Sequence, residues 1–163
     1  EIIKECPWAT TGRMGRKHPN IITSLELRSE EMEVINLRIQ KKYKEIEEKE
    51  VRFEEYLLDD AEYAIVAFGS AARIAKKSIE IARSQGIKVG LLRPITLWPF
   101  PTKEVQKLAG KVKGILSLEI NAGQMVEDIR LAVEGKVPVQ HFGRLGGIIP
   151  DPDEVVDAIK RLF

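Results

Sequence analysis

The sequence predicts an α/β protein, a three-layer sandwich around a mostly parallel sheet, and three observations carry that reading. Short continuous apolar runs alternate with amphipathic helical segments four times after Asp60, the pattern of parallel strands joined by crossover helices. The runs are apolar at successive positions, as in strands covered on both faces. Helical segments stop at Gly86, Gly110 and Gly135, as α-helices commonly do. The 163 residues suffice for a core without disulfide or metal support.

Three stretches are expected: an arm or linker over 1–28, an amphipathic helix over 29–50, and the α/β domain over 51–163. The arm mixes Pro7, Gly12, Gly15 and Pro19 with cationic side chains and has no steady period. From Ser29 to Lys49, Met32, Ile35, Ile39, Tyr43 and Ile46 recur at spacings of three and four, which stacks them in one stripe. Ser29 can cap this helix, and Glu30 and Glu31 suit its positive end. The other faces are Lys and Glu, so the stripe is expected to be buried in a core or subunit interface.

Val51 to Leu57 reads as a charged edge strand, with Glu54 and Glu55 breaking its alternation. Tyr63 to Gly69 is the first buried strand, followed by a helix from Ala71 to Ser84 with Ile74, Ala75, Ile81 and Ala82 inward. Lys88 to Leu92 is the second strand. Pro101-Thr102 opens a short helix carrying Val105 and Leu108. Gly114 to Ile120 is the third strand, and Gln124 to Glu134 the next helix. Val137 to Phe142 is a fourth strand, placed near an edge by Pro138. Asp151, Pro152 and Glu154 spell the start of the last helix.

Charge narrows the function classes. The chain carries 26 basic and 25 acidic residues, a net charge of +1, so no charge-driven nucleic-acid binding is expected. The one cysteine, Cys6, excludes a disulfide or a cysteine-held iron–sulfur cluster within the chain, and two histidines offer little for zinc. No apolar run reaches the ~20 residues of a membrane span, and a cytoplasmic location is expected. The start at Glu1, without methionine, is expected of a piece of something longer.

In a parallel sheet, ligands and partners meet the carboxyl ends of the strands. Four loops gather there: Gly69-Ser70, Arg93 to Thr96, Asn121 to Gln124, and Gly143 to Gly147. Their glycines and polar groups are either turn and cap chemistry or an edge that contacts a phosphate, a carboxylate or another subunit. Arg93 and Arg144 lead the candidates, since guanidinium suits bidentate anion recognition, with Ser70, Asn121 and Gln124 beside them. Arg13 and Arg16, clustered with Lys17 and His18, are candidates for an inter-subunit or cofactor-phosphate contact. Gly69-Ser70-Ala71-Ala72 does not meet the dinucleotide fingerprint, and no Walker lysine is present. Cys6 reads as a bystander and His141 as a core or interface group. Glu119 could serve as a general base. The alternative is a carboxylate held by backbone donors or by Arg93. No catalytic constellation emerges.

Trp8-Ala9-Thr10-Thr11-Gly12-Arg13, Asn36 to Gln40, the segment Gly90 to Pro101 with its Leu97-Trp98-Pro99, Asn121 to Arg130, and Gly143 to Gly147 together resemble the alpha subunit of 2-oxoacid:ferredoxin oxidoreductases. The branched-chain (2-oxoisovalerate) type is resembled most, and the 2-oxoglutarate type next. The resemblance implies a transketolase C-terminal-like domain, with the thiamine-binding domain of the same subunit outside this sequence. No catalytic or confident cofactor-binding residue is therefore expected here. Thiamine diphosphate, magnesium and iron–sulfur clusters would belong to the complete enzyme. Beta, gamma and delta-type subunits, coenzyme A and ferredoxin would be its partners. Two other readings stay open: the C-terminal domain of a transketolase or pyruvate-dehydrogenase-type beta subunit, and a stand-alone anion-binding module.

Overall fold

The structure is a computed structural model that describes residues 6–162. Its ten elements run, in order, α1 (Ser29–Lys49), β1 (Phe53–Tyr56), β2 (Tyr63–Val66), α2 (Gly69–Ser84), β3 (Val89–Pro94), α3 (Thr102–Ala109), β4 (Gly114–Glu119), α4 (Met125–Val133), β5 (Val139–Gly143) and α5 (Pro152–Lys160). The chain divides into two compact units between Lys42 and Tyr43, inside α1.

In the first unit, residues 6–28 form no helix or strand. The arm is organised by its own polar groups: the Asn20 side-chain amide donates to the carbonyl of Ala9 at 3.0 Å, and Arg16 donates to the carbonyls of Pro7 and Gly12. In α1 the Met32 amide donates to the carbonyl of Arg28 at 2.9 Å, so Arg28 flanks the helix and Ser29 is its first residue rather than its cap. Of the two expected settings for the stripe, a core or a subunit interface, a core within this chain is not what it enters. Met32, Ile35, Ile39 and Ile46 are half-exposed, Tyr43 is exposed, and α1 buries no residue.

The second unit is a five-stranded sheet of order β1-β3-β2-β4-β5. The inner pairs β3–β2, β2–β4 and β4–β5 are parallel. The charged segment forms β1, antiparallel to β3 at one edge, with Glu54 opposite Arg93. The period-2 geometry of a strand sorts the core onto two faces. Ile65, Ala67, Leu91, Leu116 and Leu118 pack against α2 and α5. Ala64, Val66, Leu92 and Ile115 pack against α3 and α4. Each sheet face thus carries two helices, which explains why the inner strands are apolar at most positions.

Two boundaries differ from the sequence pattern. Helix α2 begins at Gly69, two residues early, because Gly69 takes φ +56° and turns the chain straight from strand to helix. Its buried face centres on Ala71, Ala75, Ser78, Ile79 and Ala82, with Ile74 and Ile81 at the margins. Strand β5 starts at Val139, beyond Pro138, whose carbonyl accepts from the Ile115 amide at 3.0 Å. The last helix carries the expected capping box: Asp151 accepts from the Asp153 amide at 2.9 Å, and Glu154 accepts from the Asp151 amide at 3.1 Å.

Candidate functional site

The loop after β2 leads to α2 on one face, and the loop after β4 leads to α4 on the other. The two strands are neighbours, so the chain reverses direction across the sheet between their carboxyl ends, where open α/β sheets bind ligands. Ser70 lies exposed at the head of α2 on one side of this point, and Asn121 to Gln124 lie on the other.

Next to it, at the end of β3, Arg93 does not face open solvent alone. Its Nη1 donates to Glu54 Oε2 at 2.8 Å, across the antiparallel register. Lys76 of α2 donates to the other oxygen, Oε1, at 2.5 Å, and its ammonium lies 5.2 Å from the centre of the Tyr56 ring. Lys76 first and Arg93 second hold the Glu54 carboxyl below its usual range, against a smaller opposing effect of burial. Glu54 is the carboxylate that Arg93 recognises; Glu119 is not. The residues around this trio, Gly69, Ser70, Ala72, Arg73, Lys76 and Arg93, line an open cleft of about 610 Å³.

Glu119 ends β4 with its side chain on the α3–α4 face, fully buried. It stands in for the helix cap that Gln124 lacks. Oε2 accepts from the amides of Gln124 at 3.1 Å and Met125 at 2.9 Å, and Oε1 from Val126 at 3.0 Å. These are the donors that a helix leaves unpaired at its start, and a negative charge there is favoured. The Ser117 hydroxyl, two residues back on the same strand face, donates to Oε1 at 2.8 Å. Burial is the strongest single influence on this carboxyl and pushes it up. The amide of Met125, the Ser117 hydroxyl, the Gln124 amide and the Asn121 side chain together outweigh it and leave the group below the usual glutamate value. Glu119 thus caps the start of α4 with its carboxylate.

His141 on β5 stands beside Ser117 in the parallel register, and its Nδ1 lies 3.5 Å from Glu119 Oε1. That nitrogen is buried and makes no hydrogen bond. Asn121 Oδ1 accepts from the Gly123 amide at 2.7 Å and closes the turn into α4. Gln124 uses its backbone on Glu119 and leaves its side chain exposed. Arg144 pairs with Glu154 at 3.3 Å and so ties the β5 loop to the head of α5. Arg13 donates to the carbonyls of Arg16 and Lys17, and Arg16 to those of Pro7, Gly12 and Arg13. Both guanidiniums thereby fold the arm. Cys6 and His18 are exposed in that arm.

The sheet edge therefore brings Ser70 and Arg93 together in the cleft, while Asn121 and Gln124 shape the adjoining α4 turn. Arg144 joins a separate contact. Sequence reading missed Arg73 and Lys76. Their signal was present, since they follow Ser70 at three-residue spacings on one helix face. Among the described residues no group of three or more His, Cys, Asp or Glu could hold a metal ion. Among the described residues no helix is long and apolar enough to cross a membrane.

A mixed five-stranded sheet with two helices on each face defines a three-layer α/β sandwich domain. Comparison with known proteins makes this specific. The family model described as pyruvate:ferredoxin oxidoreductase core domain II matches residues 61–155, and the chain belongs to that family. It is similar to the ketoisovalerate oxidoreductase subunit VorB of Methanothermobacter thermautotrophicus, with 44% identity over 155 residues, covering 95% of this chain and 44% of that protein. It is also similar to the 2-oxoglutarate synthase subunit KorA of Methanothermobacter marburgensis, 31% identical over 104 residues, 64% of this chain and 28% of that subunit. The chain thus spans less than half the length of these relatives. In fold it resembles a 2-oxoglutarate:ferredoxin oxidoreductase from Magnetococcus marinus, solved with 2-oxoglutarate, coenzyme A and succinyl-CoA bound. The TM-score is 0.72 at 20% identity, over 84% of this chain and 24% of that one. It also resembles a split-gene transketolase in an inactive beta4 tetramer, with a TM-score of 0.59 at 16% identity, over 68% and 41% of the two chains. The resemblance to 2-oxoacid:ferredoxin oxidoreductases and the α/β sandwich read from the sequence both stand.

Proposed function

We propose that this chain is the structural and assembly domain of an alpha-type subunit in a 2-oxoacid:ferredoxin oxidoreductase, with 2-oxoisovalerate as the preferred substrate of the whole complex. The observation that carries the reading is the similarity to the VorB subunit along 95% of the chain, against 64% for the KorA subunit. The geometry supports an assembly role. Glu119 is engaged as a cap and Glu54 as the ion-pair partner of Arg93. Because the chain spans less than half the length of these relatives, the reading assigns thiamine diphosphate, magnesium and the iron–sulfur clusters to other domains and subunits of a cytoplasmic complex that uses coenzyme A and ferredoxin.

The test is to tag the gene product in its source cell and analyse the purified assembly by native mass spectrometry and 2-oxoacid-dependent ferredoxin reduction. Expected are co-purifying thiamine-binding and cluster-carrying subunits, with 2-oxoisovalerate turned over faster than 2-oxoglutarate. Purification of the chain's product alone, without ferredoxin-reducing activity, would overturn the proposal.

A further inference from the structure

We infer that the cleft at the head of α2 is a binding site for a phosphoryl group, and that Glu54 is its internal competitor. Three side-chain cations line the cleft, Arg73, Lys76 and Arg93. Arg73 and Lys76 share a face of α2 with Ser70, and Arg93 reaches in from the carboxyl end of the neighbouring strand β3. Glu54 neutralises only one of these charges, although it holds both Lys76 and Arg93. Arg73 forms no ion pair with any described residue. A net charge of +2 remains in a cleft of about 610 Å³, within the size range of small-ligand sites.

The backbone points to the same chemistry. Helix α2 has 16 residues, opens without a side-chain cap and carries no acidic residue in its first turn. Gly69 and Ser70 at its head line the cleft, and helix-leading amides donate to phosphate oxygens. Gly69, at φ +56° with open space where a Cβ would stand, lets a ligand approach that backbone closely. Arg93 is only partly used: Nη1 serves Glu54, while Nε is buried with no acceptor. A phosphoryl group that displaces Glu54 lets the guanidinium turn and present two parallel donors, the geometry suited to phosphate. Glu54 is a half-exposed residue on the short edge strand, so its side chain can yield to solvent.

The experiment is isothermal titration of the 163-residue chain with inorganic phosphate, pyrophosphate and adenosine 5′-diphosphate at fixed ionic strength. Saturable binding of pyrophosphate is expected. Arg73→Gln should weaken it by about tenfold, and Glu54→Gln should strengthen it by about tenfold, as one charge-assisted contact is lost or one competitor removed. Circular dichroism checks that each variant is folded, and Lys76→Gln replaces either variant that is not, with weaker binding expected. Tighter binding of the nucleotide than of pyrophosphate identifies a nucleotide as the source of the phosphoryl group; equal affinity identifies the phosphoanion itself. The inference is overturned by the absence of saturable binding in both wild type and Glu54→Gln, or by binding that Arg73→Gln and Lys76→Gln leave unchanged.

Discussion

Glu119 shows how one side chain sets the geometry of a sheet edge. Its two oxygens accept three amides of the α4 turn and one hydroxyl of its own strand. Glu119→Gln replaces one acceptor oxygen by an amide that faces donors, so at neutral pH it should cost about 2 kcal/mol, the penalty of leaving buried donors unpaired. The pH dependence has a definite sign. The carboxyl lies below the usual 4.5 in the folded chain, so its stabilisation is fully present above that value and is lost as pH falls through the lower, folded one. Urea denaturation of wild type and variant from pH 7 downward should give a gap that is constant near neutrality and narrows below about pH 4.5. A gap that stays the same in acid would show that the loss comes from shape and not from charge.

At the scale of elements, the connection from β1 to β2 crosses close over β3. A Cβ on Gly90 would stand 2.4 Å from the Leu57 carbonyl oxygen and 2.6 Å from Leu58 Cδ2. Leu57 itself holds a left-handed backbone at φ +53°, and Arg83 of α2 anchors its carbonyl at 2.7 Å. The loop therefore cannot retreat freely. Gly90→Ala should destabilise by about 1–3 kcal/mol, the usual cost of overpacking. The control is Gly114→Ala, whose Cβ would meet its neighbours only at 3.6 Å or beyond. Chemical denaturation of the two variants should separate them clearly, and equal losses would refute the close approach. The edge strand itself was legible but faint in the sequence: Glu54 and Glu55 broke its alternation, and their reason is non-local. Glu54 faces Arg93 and Lys76, while Tyr56 on the same side packs toward the core of α2 and α5.

At the scale of the whole molecule, the two units differ in how they are held. Both core clusters belong to the second unit, while the arm is held by its own polar contacts and α1 buries nothing. Residues 43–163 should consequently fold alone and melt cooperatively within about 5 °C of the full chain, the shift expected of roughly 1 kcal/mol in a domain of this size. Differential scanning calorimetry decides it, and a broad, non-cooperative melt of the fragment would show that the first 42 residues complete the core. The helix stripe of α1 forms as a stripe, and it is not part of this chain's own core. Periodicity reveals which residues share a face; it does not say what covers that face.

The sequence by itself determined the alternation of strands and helices, the continuous apolar inner strands, the capping box of α5 and the family signature. Each of these is local: a period of two or 3.6, a cap within three residues, or a contiguous motif. Only the tertiary structure decided the strand order, the antiparallel placement of β1, and which anion answers which cation. Arg93 meets Glu54 from 39 positions away, and Lys76 meets it from 22. Those partners are chosen by sheet register and by the closure of loops, which no window along the chain contains.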